Sequence, residues 1–309
     1  MKLIITGSCG HIGSFVAERI HLIPTIKETI LIDNLKSNRH YSLFNLNKKN
    51  NYKFYQIDLT KMRSLDRFRG ASYLIHCASM TNAEKSFGAK KEMYKNNLDC
   101  MRVVTKYCEK NNVKLIHLSS TSVYGKQSKI VDENCEKKYL KPQSPYAKIK
   151  LIEENILKEN KKIKYTTFRL GTIAGYSKGM RFHTAVNKFC ISAAFNEKIK
   201  VYKTAINQYR PYLSIRDVFK LFKFCIENNF FKNDIFNALS GNYTVNQIIN
   251  KIRKRKKNIK FELVKSEIMN QLSYQVDDSK LSNFGIKLNS DIQKDIDDTL
   301  KLFSYLKNL

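Results

Sequence analysis

The opening thirteen residues, Met1-Lys-Leu-Ile-Ile-Thr-Gly-Ser-Cys-Gly-His-Ile-Gly13, constrain the fold of this chain more than any other stretch. Lys2 to Thr6 reads as a short apolar strand. Gly7, Gly10 and Gly13 follow at the spacing G-x-x-G-x-x-G, and from Ser14 the apolar positions Phe15, Val16 and Ile20 take a helical spacing. A strand, a glycine turn and a helix N-terminus together make an anion site. Gly7 permits the turn, Gly10 lets backbone approach a diphosphate, and Gly13 lets helix and strand pack closely, with free N–H groups and the helix dipole facing the charge. A glycine triplet by itself is an ordinary turn. Here an acid follows about 20 residues later, as the dinucleotide pattern requires. It is Asp33, closing a second apolar run, Thr29-Ile-Leu-Ile-Asp33.

Strands and helices go on alternating. Strands are expected at Tyr52–Ile57, Tyr73–Ala78, Lys114–Ser119 and Tyr165–Leu170, and helices at Lys61–Phe68, Ala89–Asn111 and Pro145–Asn160. This order argues an α/β fold of the Rossmann type, a doubly wound parallel sheet with right-handed crossovers. Beyond Gly175 the alternation weakens. Helices are expected at Met180–Phe195, Asp217–Asn228, Asn246–Lys257 and Asp291–Leu306, and strands at Lys198–Tyr202, Tyr212–Ile215 and Lys260–Val264. The chain therefore divides into a dinucleotide-binding domain, residues 1–171, and a smaller C-terminal substrate-binding lobe, residues 172–309. Parts of 210–235 are expected to pack back on the first domain.

Composition narrows the class. The 309 residues suffice for a large core. The formal charge is +29, from 56 basic and 27 acidic side chains, which raises nucleic-acid binding as a function to weigh. The basic residues are spread along the whole chain, however. The densest run, Arg253-Lys-Arg-Lys-Lys257, closes an expected helix, where cations complement the dipole, so no nucleic-acid role is expected. Seven cysteines form no C-x-x-C pair, and Cys77, Cys100 and Cys225 lie in apolar segments as small core residues. That suggests a reducing compartment and no metal site. The N-terminal apolar run is short for a signal peptide and no run approaches a membrane span, so a cytoplasmic protein is expected.

Tyr146-Ala-Lys-Ile-Lys150 is the sharpest chemical signal. Pro145 suits the first helical position, and residues four apart share one helix face. A tyrosine is a poor base at its usual pKa of about 10. An ammonium about 4 Å away, at an effective dielectric of about 20, supplies about 4 kcal/mol, equivalent to about three pKa units. Tyr146 then accepts an alcohol proton near neutrality. Ser119-Ser-Thr-Ser-Val-Tyr-Gly125 leaves the fifth strand at its C-terminal edge, where open α/β sheets bind ligands.

Taken in order, Thr6-Gly7-x-x-Gly10-x-x-Gly13, Asp33-Asn34, Asp58-Leu59, His76-Cys-Ala78, Asn97, Ser119-Ser120…Tyr124-Gly125 and Tyr146-x-x-x-Lys150 resemble the extended short-chain dehydrogenase/reductase family, in its NAD-dependent nucleotide-sugar epimerase/dehydratase branch. Arg169-Leu-Gly-Thr-Ile-Ala-Gly175 and Arg210-Pro-Tyr-Leu-Ser-Ile-Arg-Asp217 continue the likeness. The resemblance implies NAD as cofactor, a nucleoside-diphosphate sugar as substrate and a homodimer. Gly7, Gly10, His11, Ile12 and Gly13 would line the cofactor diphosphate. Asp33 and Asn34 would take the adenosine ribose, Asp58 and Leu59 would border the adenine, and Cys77, Ala78, Ser79 and Asn97 would line the middle of the groove. Ser120 and Tyr146 would be catalytic with Lys150, which would also hold the nicotinamide ribose. Thr81, Ser120, Thr121, Thr172 and Arg210 would meet substrate, Arg210 at its diphosphate.

The implied activity is epimerisation, at C4, by transient oxidation and hydride return. A nucleotide-sugar 4-dehydrogenase or 4-ketosugar reductase is the alternative, and a non-catalytic nucleotide- or RNA-binding relative a third. Two departures bear on this. Thr121-Ser122 stands where the dehydratases carry Asp-Glu, which argues against 4,6-dehydration. The second diphosphate-binding arginine of many epimerases is missing from Ser266-Glu-Ile-Met-Asn-Gln271. Asp33 favours NAD over NADP, because its carboxylate would repel a 2′-phosphate.

Overall fold

A computed structural model describes residues 1–82, 87–265 and 273–305; the stretch Ser266 to Gln271 lies outside the described residues. The first half runs β1 (Lys2–Thr6), α1 (His11–Arg19), β2 (Glu28–Asp33), β3 (Asn51–Gln56), β4 (Tyr73–His76), α2 (Lys90–Asn111), β5 (Lys114–Ser120), α3 (Pro145–Glu159) and β6 (Tyr165–Leu170). The second runs β7 (Thr172–Ala174), α4 (Ala185–Ala194), β8 (Ile199–Tyr202), β9 (Tyr209–Ser214), α5 (Ile215–Glu227), β10 (Asp234–Ala238), β11 (Gly241–Thr244), α6 (Val245–Arg255), β12 (Phe261–Val264), α7 (Ser279–Ser282) and α8 (Ile292–Lys301).

Seven strands make one parallel sheet in the order β10-β6-β5-β4-β1-β2-β3. Successive side chains of a strand point to opposite faces, and both faces are buried here. Leu3, Ile5, Tyr73, Ile75 and Ile116 join Phe15 and Val16 of α1, Ile20 just after it, and Val218, Phe222 and Cys225 of α5. Ile4, Leu74 and Leu115 join Met101, Val104 and Tyr107 of α2 and Leu157 of α3 on the other face. The sheet is thus doubly wound, as the alternation predicts. A three-stranded sheet, β11-β9-β7, and the pair β12-β8 form the second part, whose core is built from Phe189 and Cys190 of α4, Ile248 and Ile252 of α6, and Ile292 and Ile296 of α8.

Three expectations need correction. Lys61–Phe68 is a run of turns, because Arg63 adopts a positive φ of 64° that an α-helix cannot hold; Leu65 and Phe68 are buried at helical spacing all the same. The helix expected from Met180 begins only at Ala185. The last helix ends at Lys301, followed by turns to Tyr305, and Leu306 lies outside the described residues. A strand not anticipated, β10, pairs with β6 from Asp234↔Thr166 to Ala238↔Leu170 and completes the sheet.

Helix α5 ties the two halves. Its N-cap Ser214 accepts from the Arg216 N–H at 3.2 Å, and Asp217 in its first turn complements the dipole. Phe222, fully buried beneath it, fills the sheet's core. Phe222→Ala should therefore cost about 3–5 kcal/mol of stability in urea unfolding. A loss below about 1 kcal/mol would show that α5 is not part of this core.

Candidate active site

The glycine turn takes the expected shape. Gly7 has φ +64°, and a Cβ on it would lie 2.6 Å from the Ala78 nitrogen. A Cβ on Gly13 would lie 2.3 Å from the Gly7 oxygen. Gly10 differs, since a Cβ there meets only the Gly7 oxygen, at 3.2 Å. It N-caps α1 with no side-chain cap, so the first N–H groups of the helix face the pocket. The cap of α3 is of another kind. Ser144 accepts from the Ala147 N–H at 3.1 Å, and Pro145 occupies the first turn, which places Tyr146 at the helix start and Lys150 one turn on.

One pocket of about 480 Å³ collects these elements. Among the expected residues, Gly7, Gly10, His11, Ile12, Gly13, Cys77, Ser79, Thr81, Ser120, Thr121, Tyr146, Lys150, Thr172 and Arg210 line it. Asp33, Asn34, Asp58, Leu59, Ala78 and Asn97 do not. The Asp33 carboxylate accepts from the Cys9 N–H at 3.0 Å and the Leu35 N–H at 2.9 Å, which fastens it beside the glycine turn. Asn34 accepts from the Lys36 N–H and closes its own turn. Asp58 holds Thr60 and pairs with Lys36 at 3.6 Å. Leu59 is buried in the core. Ala78 presents backbone to Gly7, and Asn97 holds both the N–H and the C=O of Met80.

The catalytic candidates have firm neighbours. The Ser120 hydroxyl accepts from the Ser122 N–H at 3.2 Å and lies 2.9 Å from the Ser122 hydroxyl. Thr121 reaches the Leu170 carbonyl and the Tyr274 hydroxyl. The Lys150 ammonium sits 5.7 Å from the centre of the Tyr146 ring. It donates to Glu153 at 2.7 Å, and that carboxylate also lies 3.1 Å from His117 Nε2. Burial favours neutral forms in both partners. The carboxylate nonetheless raises Lys150, while the ammonium and His117 hold Glu153 down to about 2. Burial pushes the Cys77 thiol up to about 12 and the rings of His11 and His76 down to about 3. Cys77 is therefore no thiolate nucleophile, and both histidines are neutral.

A second buried network stands behind the first. Glu154 accepts from Arg169 at 2.9 and 2.7 Å in a two-pronged pair, and from Ser119. It locks α3 against β5 and β6, so Arg169 is a scaffold residue.

Other functional candidates carried no recognisable motif. Arg181, Lys188 and Lys200 also line the pocket. Arg181 donates to Thr81, one hundred residues away, and burial lowers its pKa. Among the described residues no carboxylate pairs with Arg181, Lys188, Lys200 or Arg210, and none lines the pocket. A pocket with cations and no acid selects anions.

Residues 3–238 match the family model for NAD dependent epimerase/dehydratase proteins. The chain belongs to this family. Among similar proteins, a UDP-glucose 4-epimerase of Schizosaccharomyces pombe is 27% identical over 172 residues, 52% of this chain and 47% of that protein. An ADP-L-glycero-D-manno-heptose-6-epimerase of Brachyspira hyodysenteriae is 26% identical over 249 residues, 78% of this chain and 76% of that protein. The chain thus spans about half of the first and three quarters of the second. In fold, a UDP-N-acetylglucosamine 4-epimerase from Methanobrevibacter ruminantium superposes with a TM-score of 0.85 at 23% identity, covering 98% of this chain and 97% of that one.

As a member of the NAD dependent epimerase/dehydratase family, the chain uses NAD, and its own residues fit that group. A Cβ on Gly10 presses on the Gly7 oxygen at 3.2 Å, a contact the turn must relieve by a few tenths of an ångström, far milder than the 2.3 Å clash at Gly13. Gly10→Ala should therefore still fold, with a modest loss of thermal stability, yet bind NAD at least tenfold more weakly. Gly13→Ala should fail in folding itself. Thermal melts and NAD titrations separate the two, and undiminished NAD affinity in Gly10→Ala would place the diphosphate elsewhere.

Proposed function

We propose that the chain is an NAD-dependent epimerase of a nucleoside-diphosphate sugar, acting at C4 by transient oxidation. The observation that carries this is the meeting of Ser120, Tyr146, Lys150 and the glycine turn in one pocket whose described lining holds four unpaired cations and no acid. NAD, when bound by these residues, would supply reversible hydride transfer at the sugar carbon. Tyr146 accepts the hydroxyl proton, Ser120 holds the same oxygen, and Lys150 steadies both the phenolate and the nicotinamide ribose. Gly7, Gly10, His11, Ile12 and Gly13 receive the cofactor diphosphate, with Asp33 at the adenosine ribose. Arg210 takes the sugar-nucleotide diphosphate, and Thr81, Thr121 and Thr172 border the sugar.

In this reading residues 1–171, with α5 and β10 packed back on them, bind the cofactor, and the rest of 172–309 borders the substrate. Elimination of water is disfavoured, because Thr121 and Ser122 offer hydroxyls where a dehydratase needs an acid and a base. The same residues also suit a one-way 4-dehydrogenase or 4-ketosugar reductase. An epimerase keeps its NAD through purification; a one-way enzyme exchanges it. The decisive experiment screens UDP-, GDP-, CDP- and dTDP-sugars for NADH formation and, by NMR, for a new epimer. With an active sugar in hand, Tyr146→Phe should lower turnover by about 10²–10⁴ while NAD binding and folding survive. Ser120→Ala should cost less. Near-full turnover in Tyr146→Phe would remove Tyr146 as the base.

We also propose a homodimer. Helices α2 and α3 lie side by side and carry the half-buried apolar residues Tyr94, Leu98 and Ile152. Pairing with a second copy would form a four-helix bundle through an isologous two-fold contact. Sedimentation at micromolar concentration should give twice the chain mass; a monomeric mass would overturn this.

A further inference from the structure

Glu153 takes no part in the proton transfer proposed above, yet it grips the lysine on which that transfer depends. Its Oε2 accepts from Lys150 Nζ at 2.7 Å and lies 3.1 Å from His117 Nε2. The far nitrogen of His117, Nδ1, is 3.2 Å from the Thr167 hydroxyl. The side chains of Lys150 and Glu153 are only 5% and 1% exposed, so water screens neither charge. Tyr146, Lys150 and Glu153 sit at successive turns of one face of α3. A lone ammonium on that face would stabilise the Tyr146 phenolate. An ammonium joined to a carboxylate presents a dipole instead, and much of its pull on the phenol is cancelled.

We propose that Glu153 is a positioning residue: it fixes the Lys150 ammonium and, by joining it in a buried pair, cancels part of the field that an unpaired lysine would direct at the Tyr146 phenol. Of the other charged and titratable groups near this face, Glu154 also acts on Lys150, less strongly than Glu153. Glu154, on α3 itself, is engaged by Arg169 and Ser119. His117 from β5 is already bonded to Glu153, and His76 from β4 is buried and neutral beside Thr6. Cys77 after β4 and Cys100 of α2 are held as thiols by burial. Arg181 acts on Tyr146, and Lys188, Lys200, Arg210 and His183 line the same pocket; all are unchanged in the variants below, so they drop out of the difference.

The carboxylate lies one hydrogen bond of 2.7 Å beyond the ammonium; a unit charge at about 8 Å and an effective dielectric of about 20 is worth about 2 kcal/mol, so a shift of the order of one pH unit is the scale expected on its removal. Glu153→Gln keeps the shape and the acceptor oxygen and deletes the charge. The readout is the ultraviolet absorbance of the phenolate in NAD-loaded protein, with Tyr146→Phe subtracted in each background. This measurement needs no substrate, so it stands even if the epimerase reading fails. The Tyr146 midpoint should fall by about one unit in Glu153→Gln. Glu153→Asp retains a buried carboxylate and draws it back by one methylene, and should give a smaller shift in the same direction; if Glu153→Gln does not fold, this variant decides. Where a sugar substrate is available, the acid limb of the kcat–pH profile should move down by the same amount, with KM for NAD within about twofold. A role confined to structure would lower kcat at every pH and leave the limb in place. An unmoved or raised midpoint in the folded variants overturns the proposal.

Discussion

Much of this structure hangs on how closely backbone packs around the glycine turn. Gly13 lets α1 sit against Gly7 from within, and a Cβ on Gly179 would come 2.2 Å from the Cys9 oxygen from without. Between those two approaches the turn has no freedom left. Side chains complete the grip. The neutral His11 ring donates to the Gly175 carbonyl at 2.9 Å, the Ser177 hydroxyl donates to the His11 carbonyl at 2.8 Å, and the Ser14 hydroxyl accepts from the Gly179 N–H at 2.9 Å. The segment that leaves β7 is therefore fastened to the anion cradle, and Arg181 follows two residues after Gly179. One local constraint thus fixes the cradle, the mouth of the pocket and one of its cations together.

The second organising device is charge buried in pairs. An isolated buried ion costs several kcal/mol, and breaking one partner of such a pair typically costs about 3–5 kcal/mol. Helix α3 carries two of these pairs next to each other, Lys150 with Glu153 and Glu154 with Arg169. The first faces the pocket; the second faces β6. Together they fix rotation and translation of the helix against the sheet, and so decide where the Tyr146 phenol stands relative to Ser120 at the end of β5.

The sequence made the local parts of this legible. The glycine turn, the Pro145 helix start and the apolar strands are each specified within a few residues, and β1, β2, β5 and β6 fall where their apolar runs predict. What was illegible is what depends on distant partners. Asp234-Ile-Phe-Asn-Ala238 is too polar to announce a strand until β6 lies beside it. Arg181 belongs to no motif, and its partner Thr81 comes from the other half of the chain. The Lys150–Glu153 pair was within reach, since three residues separate them on one helix, but burial turns an ordinary surface spacing into an electrostatic control. At Lys61–Phe68 the apolar spacing suggested a helix that the backbone of Arg63 forbids.

The late arrival of β10 has a consequence in time. During synthesis the chain emerges from its N-terminus, and β6 is complete long before residues 234–238 exist. Until β7 through α5 have been made, the outer edge of β6 has no neighbour and offers unpaired N–H and C=O groups to any passing strand. Its sequence, Tyr165-Thr-Thr-Phe-Arg-Leu170, suits that interval. Thr166, Thr167 and Arg169 are fully enclosed in the finished protein, yet as polar and charged side chains they keep a nascent edge in water and make it a poor partner for foreign strands. The residues that later bond Glu154, His117 and the Phe230 carbonyl guard the same strand while it waits.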